Sequence, residues 1–297
     1  MERLELTSPA GARLSVLDRG AAVDAWVPAP GTGANLLVSR TPAERLAADA
    51  PYCGVVVGRY ANRIAGATVT IDGVTHRLDA NEPPSTLHGG GDGFPRRTWQ
   101  VAERDDDRVV LRLTSPDGDQ GFPGTLVATV EYRLHDTAVD VELSAVCDAP
   151  TVVNLASHPY FELGPSPVVT VPAELYLPVD ELGIPRPGTS PVDGTPFDLR
   201  AGLTVTPSSG FDHAWLVPGH GRRHVARIAA ADGSRRIDVV SDRPSVQVFT
   251  GGSAGGVAIE AQQVPDGPHR PGVDVVLRPG QTYRSSTRWA YSAASDR

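Results

Sequence analysis

Lysine is absent from the 297 residues, so all 27 basic side chains are arginines. This absence excludes the mechanisms that depend on a lysine amine. Schiff-base catalysis, attachment of pyridoxal phosphate and a Walker-type phosphate-binding lysine are therefore impossible for this protein.

Cysteine and long apolar runs are scarce as well. Cys53 and Cys147 lie far apart without a CxxC partner, which excludes a disulfide framework and a thiolate metal site. The N-terminal segment 1–16 carries charges at positions 2, 3 and 5 and lacks the continuous apolar stretch of a signal peptide. The uncharged segment 245–259 is rich in glycine and alternating, so it is not a membrane span. These features predict a cytoplasmic protein.

Concentrated positive charge is also lacking. The net charge is −8, the sequence pI is near 5.5, and no run of basic residues occurs. Nucleic acids and anionic membranes both need a concentrated positive face on their partner. We therefore expect neither nucleic acid nor membrane among the partners of this protein.

Short alternating segments bounded by glycine, proline, asparagine or aspartate are abundant, and this pattern is typical of strands and turns. The 31 glycines and 27 prolines are spread evenly, so no segment stands out as an interdomain linker. We predict one all-β domain over residues 1–297, built as a large antiparallel β sandwich. The predicted strands cover 13–18, 22–27, 69–71, 76–78, 99–103, 108–114, 125–134, 138–146, 151–156, 168–171, 236–241, 245–250, 257–261, 273–277 and 281–291.

Three local patterns add detail to this prediction. Asp72 and Gly73 lie between apolar residues and predict a hairpin turn. Thr41, as a helix cap before a proline, predicts a helix over residues 41–50. The segment 177–207, rich in proline, glycine and aspartate, predicts an ordered surface loop beside a cleft.

Two glycine-rich segments carry the first candidate site residues. Asn62 and Arg63 together offer the donors and acceptors that sugar hydroxyls need, whereas Arg59 is better explained as a solvated turn residue. His88 precedes three glycines, which let the backbone approach a ligand. A surface histidine in a flexible loop is the alternative, and no HxH or HxxxH spacing supports a metal there.

Three further clusters centre on His158, Asp212 and Glu260. His158 precedes Pro159, which cannot donate to a ladder, so the strand should end there and expose a proton-transferring imidazole or a structural histidine. Asp212 belongs either to an Asx-capped turn or to a sugar subsite, and we expect the nearby Trp215 in the core. Glu260 in its apolar strand is either an exposed edge charge or, if buried near a cation, a candidate base.

Six strings occur in the order GRYANRIAG, LHGG, NLASHPYFEL, FDHAW, VQVFTGG and IEAQQVPDGPH, over residues 58–270. Together they resemble the aldose 1-epimerase (galactose mutarotase) family. The resemblance implies a large antiparallel β supersandwich and no metal or organic cofactor. Glu260 matches the catalytic base of the family and His158 its catalytic acid. The positions that hold the sugar ring and its hydroxyls match Asn62, Arg63, His88, Asp212 and Gln247.

The resemblance implies an aldose 1-epimerase that interconverts the anomers of a free aldohexose such as glucose or galactose, as a monomer or homodimer. It places Glu260 and His158 across a pocket, separated by about the width of the O1–O5 edge of a sugar rather than in contact. Departures from the family pattern flank this pair and bear on substrate choice: Pro159, Glu162, Ala214 and 267–269.

Three alternatives stay open at this point. A hexose-phosphate 1-epimerase would need an arginine cluster, which the pairs at 96–97 and 222–223 could supply. A sugar-binding protein without turnover would not need both Glu260 and His158. A glycosidase would need a second carboxylate across from Glu260, for which Asp212 is the candidate.

Overall fold

The computed structural model describes residues 1–31, 33–47, 52–251 and 255–294. Helices are few there: α1 spans Pro42–Leu46, and single 3₁₀ turns span Ala65–Ala67, Phe94–Arg96, Asp119–Gly121, Pro207–Ser209 and Gly267–His269. Among these described helices, none has the length and apolar character that crossing a membrane would require.

The strands of the first half of the chain are β1 (Arg3–Thr7), β2 (Arg13–Leu17), β3 (Ala22–Val27), β4 (Val56–Val57), β5 (Arg63–Ile64), β6 (Thr68–Ile71), β7 (Val74–Arg77), β8 (Thr86–Leu87), β9 (Gln100–Arg104), β10 (Arg108–Ser115), β11 (Leu126–Leu134), β12 (Ala138–Cys147) and β13 (Thr151–Val152). Those of the second half are β14 (Ala156–Ser157), β15 (Tyr160–Phe161), β16 (Val168–Thr170), β17 (Leu175–Leu177), β18 (Ser190–Pro191), β19 (Leu203–Thr204), β20 (Asp212–Leu216), β21 (Arg223–Ala229), β22 (Arg235–Ser241), β23 (Ser245–Phe249), β24 (Val257–Gln262), β25 (Val276–Leu277) and β26 (Tyr283–Ala293).

A nine-stranded sheet in the order β19-β16-β21-β22-β26-β12-β11-β10-β9 is the largest in the described ranges. Its ladders are antiparallel throughout. Strand β11 shows why these residues form it, because every second side chain from Leu126 to Leu134 is buried and successive side chains in a strand point to opposite faces. The buried face of this sheet packs into the main hydrophobic core.

A six-stranded antiparallel sheet, ordered β15-β24-β23-β20-β17-β18, shares that core. Val246, Val248 and Ile259 belong to the same core cluster as residues of the nine-stranded sheet. Gln247 and Glu260 alternate with them and therefore lie on the second face of the six-stranded sheet. The predicted antiparallel sandwich is confirmed. The polar side chains Gln247 and Glu260 lie on the face of the six-stranded sheet that points away from the main core.

The predicted hairpin turn is confirmed, and the predicted helix is confirmed at its N-terminal end. The hairpin of β6 and β7 turns at Asp72 and Gly73, which have φ of 51° and 80°. Helix α1 begins after Thr41, whose side chain forms a capping box with Glu44. The helix ends at Leu46 rather than at residue 50, because residue 47 already has an extended backbone; residues 48–50 lie outside the described ranges.

One predicted strand and the turn alternative for Asp212 are wrong. The predicted strand 151–156 is divided into β13 and β14, because the backbone N–H groups of 153–155 donate to three different segments rather than to one ladder. Asp212 lies in a strand rather than a turn, because β17 and β23 provide ladder partners on both sides of β20. Such tertiary pairing overrides weak local preference.

The solvated position predicted for Arg59 is also wrong. This residue is 2% exposed, and its guanidinium donates to backbone carbonyls and hydroxyls of Ser115, Pro116, Pro123, Gly124 and Thr151. Five donors in a fixed fork can be satisfied by surrounding carbonyls, so the charge is buried without a direct carboxylate partner. Trp215, in contrast, lies in the core as predicted and is fully buried.

Candidate active site

The second face of the six-stranded sheet forms the floor of a pocket. Directly opposed residues on neighbouring strands point to the same face, and the register opposes Glu260 to Gln247 and Gln247 to Ala214. Two residues along, Asp212 opposes Phe249 on that face. The floor thus carries two carboxylates and an aromatic ring around a small alanine side chain.

The short ribbon of β5 and β8 contributes a wall of the pocket. Asn62 and His88 lie next to the ladder pair of Arg63 and Leu87, and both have positive φ, 67° and 52°. The Asn62 N–H donates to His88 Nδ1 at 3.1 Å, and the His88 N–H donates to the Asn62 carbonyl at 3.2 Å. Two predicted site residues that are distant in sequence are thereby locked together.

His158 follows directly after β14, where Pro159 ends the strand as predicted. The predicted exposure of the imidazole is wrong, because the residue is only 3% exposed. Tyr160 stacks on its ring with centroids 5.0 Å apart, and Tyr52 lies on it at 6.0 Å. The aromatic rings therefore shield this histidine from water while it still lines the pocket.

Glu260 and His158 are in direct contact, with Oε1 and Nε2 3.2 Å apart. The expected separation by the width of a sugar edge is therefore wrong. Both side chains are buried and removed from water, so each is a polar partner for the other. The edge alternative for Glu260 is also wrong, since β24 is paired on both sides by β15 and β23.

The far atoms of this pair lack partners. Within the described residues, Glu260 Oε2 and His158 Nδ1 are buried and make no hydrogen bond. Buried polar atoms in native proteins are nearly always satisfied. Two unsatisfied atoms on adjacent acidic and basic groups therefore indicate a functional site rather than a structural ion pair.

Burial controls the protonation of the pair. It raises the pKa of Glu260 well above its ordinary value, with added repulsion from Asp212 and a smaller opposing effect of Arg63. Burial likewise lowers the pKa of His158 to about 4. Both shifts disfavour separate charged groups, so the pair holds one proton in total between the lowered pKa of His158 and the raised pKa of Glu260.

Ligand atoms of His88, His158 and Glu260 lie within 4.8 Å of one another, a spacing that would suit a metal ion. The tautomer of His88 argues against one. Its Nδ1 accepts the hydrogen bond from Asn62, and burial keeps its pKa well below the ordinary value. The neutral ring therefore carries its hydrogen on Nε2 and has no lone pair there for a cation. His88 is instead a hydrogen-bond donor.

Arg63, Asp212 and Gln247 form a hydrogen-bonded row. Arg63 Nη1 donates to Asp212 Oδ2 at 3.1 Å, and Gln247 Nε2 donates to Asp212 Oδ1 at 2.6 Å. Asp212 and Arg63 line the pocket, whereas Gln247 is 2% exposed and lies behind Asp212. Gln247 thus orients a pocket carboxylate, and its predicted contact with sugar stays a prediction.

The pocket encloses a cavity of about 150 Å³, and four of its lining residues were not predicted: Tyr52, Leu87, Tyr160 and Phe249. Tyr160 and Phe249 follow His158 and Gln247 by two residues, so period-two alternation was a usable signal for both. Tyr52 and Leu87 have no such signal. The predicted cleft-side loop 177–207 packs here too, since a Cβ on Gly183 would lie 2.7 Å from Arg63 Nη1.

The arginine pairs at 96–97 and 222–223 do not supply a phosphate site in the pocket, because none of the four residues lines it. Arg97 is bound to Asp119 and Arg222 to Asp140. A glycosidase is disfavoured as well, because Arg63 and Gln247 already bind the only other carboxylate of the described pocket lining, Asp212.

The sandwich brings a buried carboxyl–imidazole pair and several polar side chains to one pocket, an arrangement typical of an enzyme that transfers protons. The family model described as aldose 1-epimerase matches residues 2–290. The chain belongs to the aldose 1-epimerase family, whose members are carbohydrate isomerases.

Individual relatives agree with this assignment. The chain is 35% identical over 328 aligned residues to the aldose 1-epimerase of Escherichia coli K12, covering 98% of this chain and 95% of the relative. It is 36% identical over 274 residues to human galactose mutarotase, covering 82% and 80%.

Solved structures confirm the predicted supersandwich. A galactose 1-epimerase from Lactobacillus acidophilus superposes with a TM-score of 0.86 at 26% identity, covering 99% of this chain and 95% of the other. An aldose epimerase homologue from C. elegans gives a TM-score of 0.90 at 23% identity, covering 99% of both chains, and bears on the fold alone.

Proposed function

We propose that this enzyme interconverts the α and β anomers of a free aldohexose such as glucose or galactose, with Glu260 as base and His158 as acid. The observation that carries the proposal is the contacting pair of buried groups, each with an unsatisfied atom, in a pocket lined by hydroxyl-binding side chains. Groups of this kind are poised for proton transfer.

The reaction needs one proton and two transfer sites. The Glu260 carboxylate takes the proton of the anomeric hydroxyl while protonated His158 gives one to the ring oxygen. The bond between C1 and the ring oxygen breaks, its electron pair stays on that oxygen, and an aldehyde forms at C1. Rotation about the C1–C2 bond presents the other carbonyl face, and the two residues reverse their roles on closure.

The single proton of the pair matches this requirement. Neutral carboxylic acid with neutral imidazole, and carboxylate with imidazolium, contain the same number of protons. Because Oε1 and Nε2 are 3.2 Å apart, the proton can move between them directly, which converts the first form into the reactive second one. Contact between the groups also suits their targets, since the anomeric and ring oxygens are bonded to the same carbon.

Five neighbouring side chains are suited to holding the sugar. His88 offers an Nε2–H donor, and Arg63 keeps two N–H groups beyond those bound by carboxylates. Asn62 uses its side-chain oxygen for the Arg63 N–H, which leaves its amide hydrogens for a hydroxyl. Asp212 supplies acceptors, and the ring of Phe249 supplies an apolar surface.

The test is the rate of anomer exchange of glucose and galactose, followed by polarimetry or NMR exchange spectroscopy. We expect Glu260→Gln and His158→Ala each to lose about 10²- to 10⁴-fold in kcat/KM, the usual worth of a general acid or base. His224→Ala is the matched control and should keep full activity, because His224 pairs with Asp238 and does not line the pocket.

Failure of the wild-type protein to exceed the buffer rate with any aldose would refute the proposed activity. Full activity of Glu260→Gln would refute the role of the base alone. The single domain over residues 1–297, the cytoplasmic location and the monomeric or homodimeric state stay predictions.

A further inference from the structure

Glu82 does not line the pocket but accepts two hydrogen bonds from the arginine of the pocket. Arg63 Nε donates to Glu82 Oε2 at 2.6 Å and Nη2 donates to Oε1 at 3.0 Å. On the other side, Arg63 Nη1 donates to Asp212 at 3.1 Å. One guanidinium thus stands between two carboxylates, and three of its five N–H groups are committed to them.

The charge balance of the pocket follows from this arrangement. Arg63 is the only arginine among the pocket-lining residues that the structure describes. Its single positive charge is opposed by both Glu82 and Asp212, so the triad carries one net negative charge. Arg19, Arg45 and Arg96 line a different cavity, whose lining shares only Tyr52 with the pocket.

We propose that Glu82 makes the site selective for uncharged aldoses, because it cancels the attraction of Arg63 for a carboxylate or phosphate on the sugar. This inference rests on the proposed mutarotase function. Glu82 does not line the pocket, so it acts through Arg63 as a positioning and charge-setting residue. Without the charge of Glu82, the charges of Arg63 and Asp212 would cancel. A bound anion would then no longer face a net negative charge in the pocket wall.

The effect is local and electrostatic. The Arg63 side chain is 13% exposed, and those of Asp212 and Glu82 are 36% and 40% exposed, so water reaches both carboxylates and screens their charges in part. Charges within a few ångströms of one another interact more strongly in such surroundings than in bulk water. A sugar that carries its own negative charge is therefore repelled, while an uncharged sugar with the same hydroxyls is not.

Galactose and galacturonate provide the matched substrates, because they differ at C6, where a hydroxymethyl group is replaced by a carboxylate. Anomer exchange of both is measured by NMR exchange spectroscopy with the wild type, Glu82→Gln, Glu82→Asp and the control Glu103→Gln. Glu103 also pairs with an arginine, Arg108, and does not line the pocket. Its variant has the same change in net charge as Glu82→Gln.

We expect the wild type to prefer galactose and Glu82→Gln to narrow the ratio of the two kcat/KM values by about tenfold. Glu82→Asp should restore the wild-type ratio, and Glu103→Gln should keep it. Equal losses on both sugars in Glu82→Gln, with an unchanged ratio, would mean that Glu82 only supports the shape of the site and would overturn the inference.

A second measurement needs no variant. For the wild type, kcat/KM for galacturonate should rise as sodium chloride screens the repulsion, while the value for galactose stays constant. Equal use of both sugars at low salt would overturn the inference while leaving the mutarotase function intact. Acceleration of neither sugar, nor of any other aldose, would instead refute the proposed function itself.

Discussion

Two titratable side chains of this protein, Arg59 and Glu260, are equally buried at 2% exposure, yet their surroundings differ. Arg59 makes six hydrogen bonds, and its guanidinium lies over the ring of Phe122. Glu260 contacts His158, and its second oxygen has no partner among the described residues.

The difference separates a buried charge with many hydrogen bonds from a buried carboxyl group that keeps an unsatisfied oxygen. Burial lowers the pKa of Arg59 to about 10, so this arginine stays charged near neutral pH and joins segments distant in sequence. Burial raises the pKa of Glu260, so this pocket-lining carboxyl group keeps its proton to a higher pH than an exposed glutamate does. Burial alone does not identify a site, and what distinguishes Glu260 and His158 is that both carry an unsatisfied atom and both line the pocket.

The largest effect that we expect is a loss of stability on removing the buried charge of Arg59. Arg59→Met should lower the free energy of unfolding by about 3–5 kcal/mol, because several buried carbonyls and hydroxyls lose their donors at once. Urea unfolding measures this loss. Activity per folded molecule should stay close to that of the wild type.

The control for this prediction is Arg278→Met, which removes an exposed arginine paired with Asp72 and should not shift the unfolding midpoint. A stable Arg59→Met protein without activity would reverse the assignment and place Arg59 in the reaction.

The dependence of kcat/KM on pH tests the proposed shared proton of Glu260 and His158. One proton on the pair is required, so activity should fall as pH drops below about 4, where His158 binds a second proton. It should persist as pH rises above 6.5 and fall only when Glu260, whose pKa is raised, loses the last proton. These limits belong to the coupled pair rather than to either residue.

Uncoupled groups would behave differently. With the ordinary values of 4.5 for Glu260 and 6.5 for His158, base and acid would both be ready only between those limits. An activity that declines tenfold per pH unit above 6.5 would therefore contradict the shared proton.

The sequence was sufficient to predict the antiparallel strands, because alternation in segments such as β11 directly reflects one buried face. Through the resemblance of six strings to one family, it was also sufficient for six of the ten residues that line the pocket, but not for Tyr52, Leu87, Tyr160 and Phe249. The contact between Glu260 and His158 could not be predicted, because the distance depends on how β24 and the turn after β14 pack in three dimensions.

The positions of two further residues, Arg59 and Glu82, could not be predicted from the sequence pattern. Arg59 has the local context of a turn arginine, and its acceptors come from segments more than 50 residues away. Glu82 gave no signal at all, because its two hydrogen bonds are with the Arg63 guanidinium, which reaches it from strand β5.

The smallest expected effect is the most direct test of the central claim, that Glu260 is buried for reaction at the expense of stability. The folded protein holds the Glu260 proton above the ordinary pKa of 4.5, so stability falls as pH rises from there toward the raised pKa. His158, with its lowered pKa, costs stability only below its ordinary value of 6.5. At pH 8 the buried Glu260 therefore still lowers the stability of the fold, whereas His158 does not.

The deciding measurement is urea unfolding of the wild type, Glu260→Gln and the surface control Glu103→Gln at pH 8, with anomer exchange measured on the same samples. We predict that Glu260→Gln is more stable than the wild type by about 0.5–2 kcal/mol, although it has lost most of its activity, and that the control changes neither. A Glu260→Gln protein that is less stable than the wild type, or that remains fully active, would contradict this account.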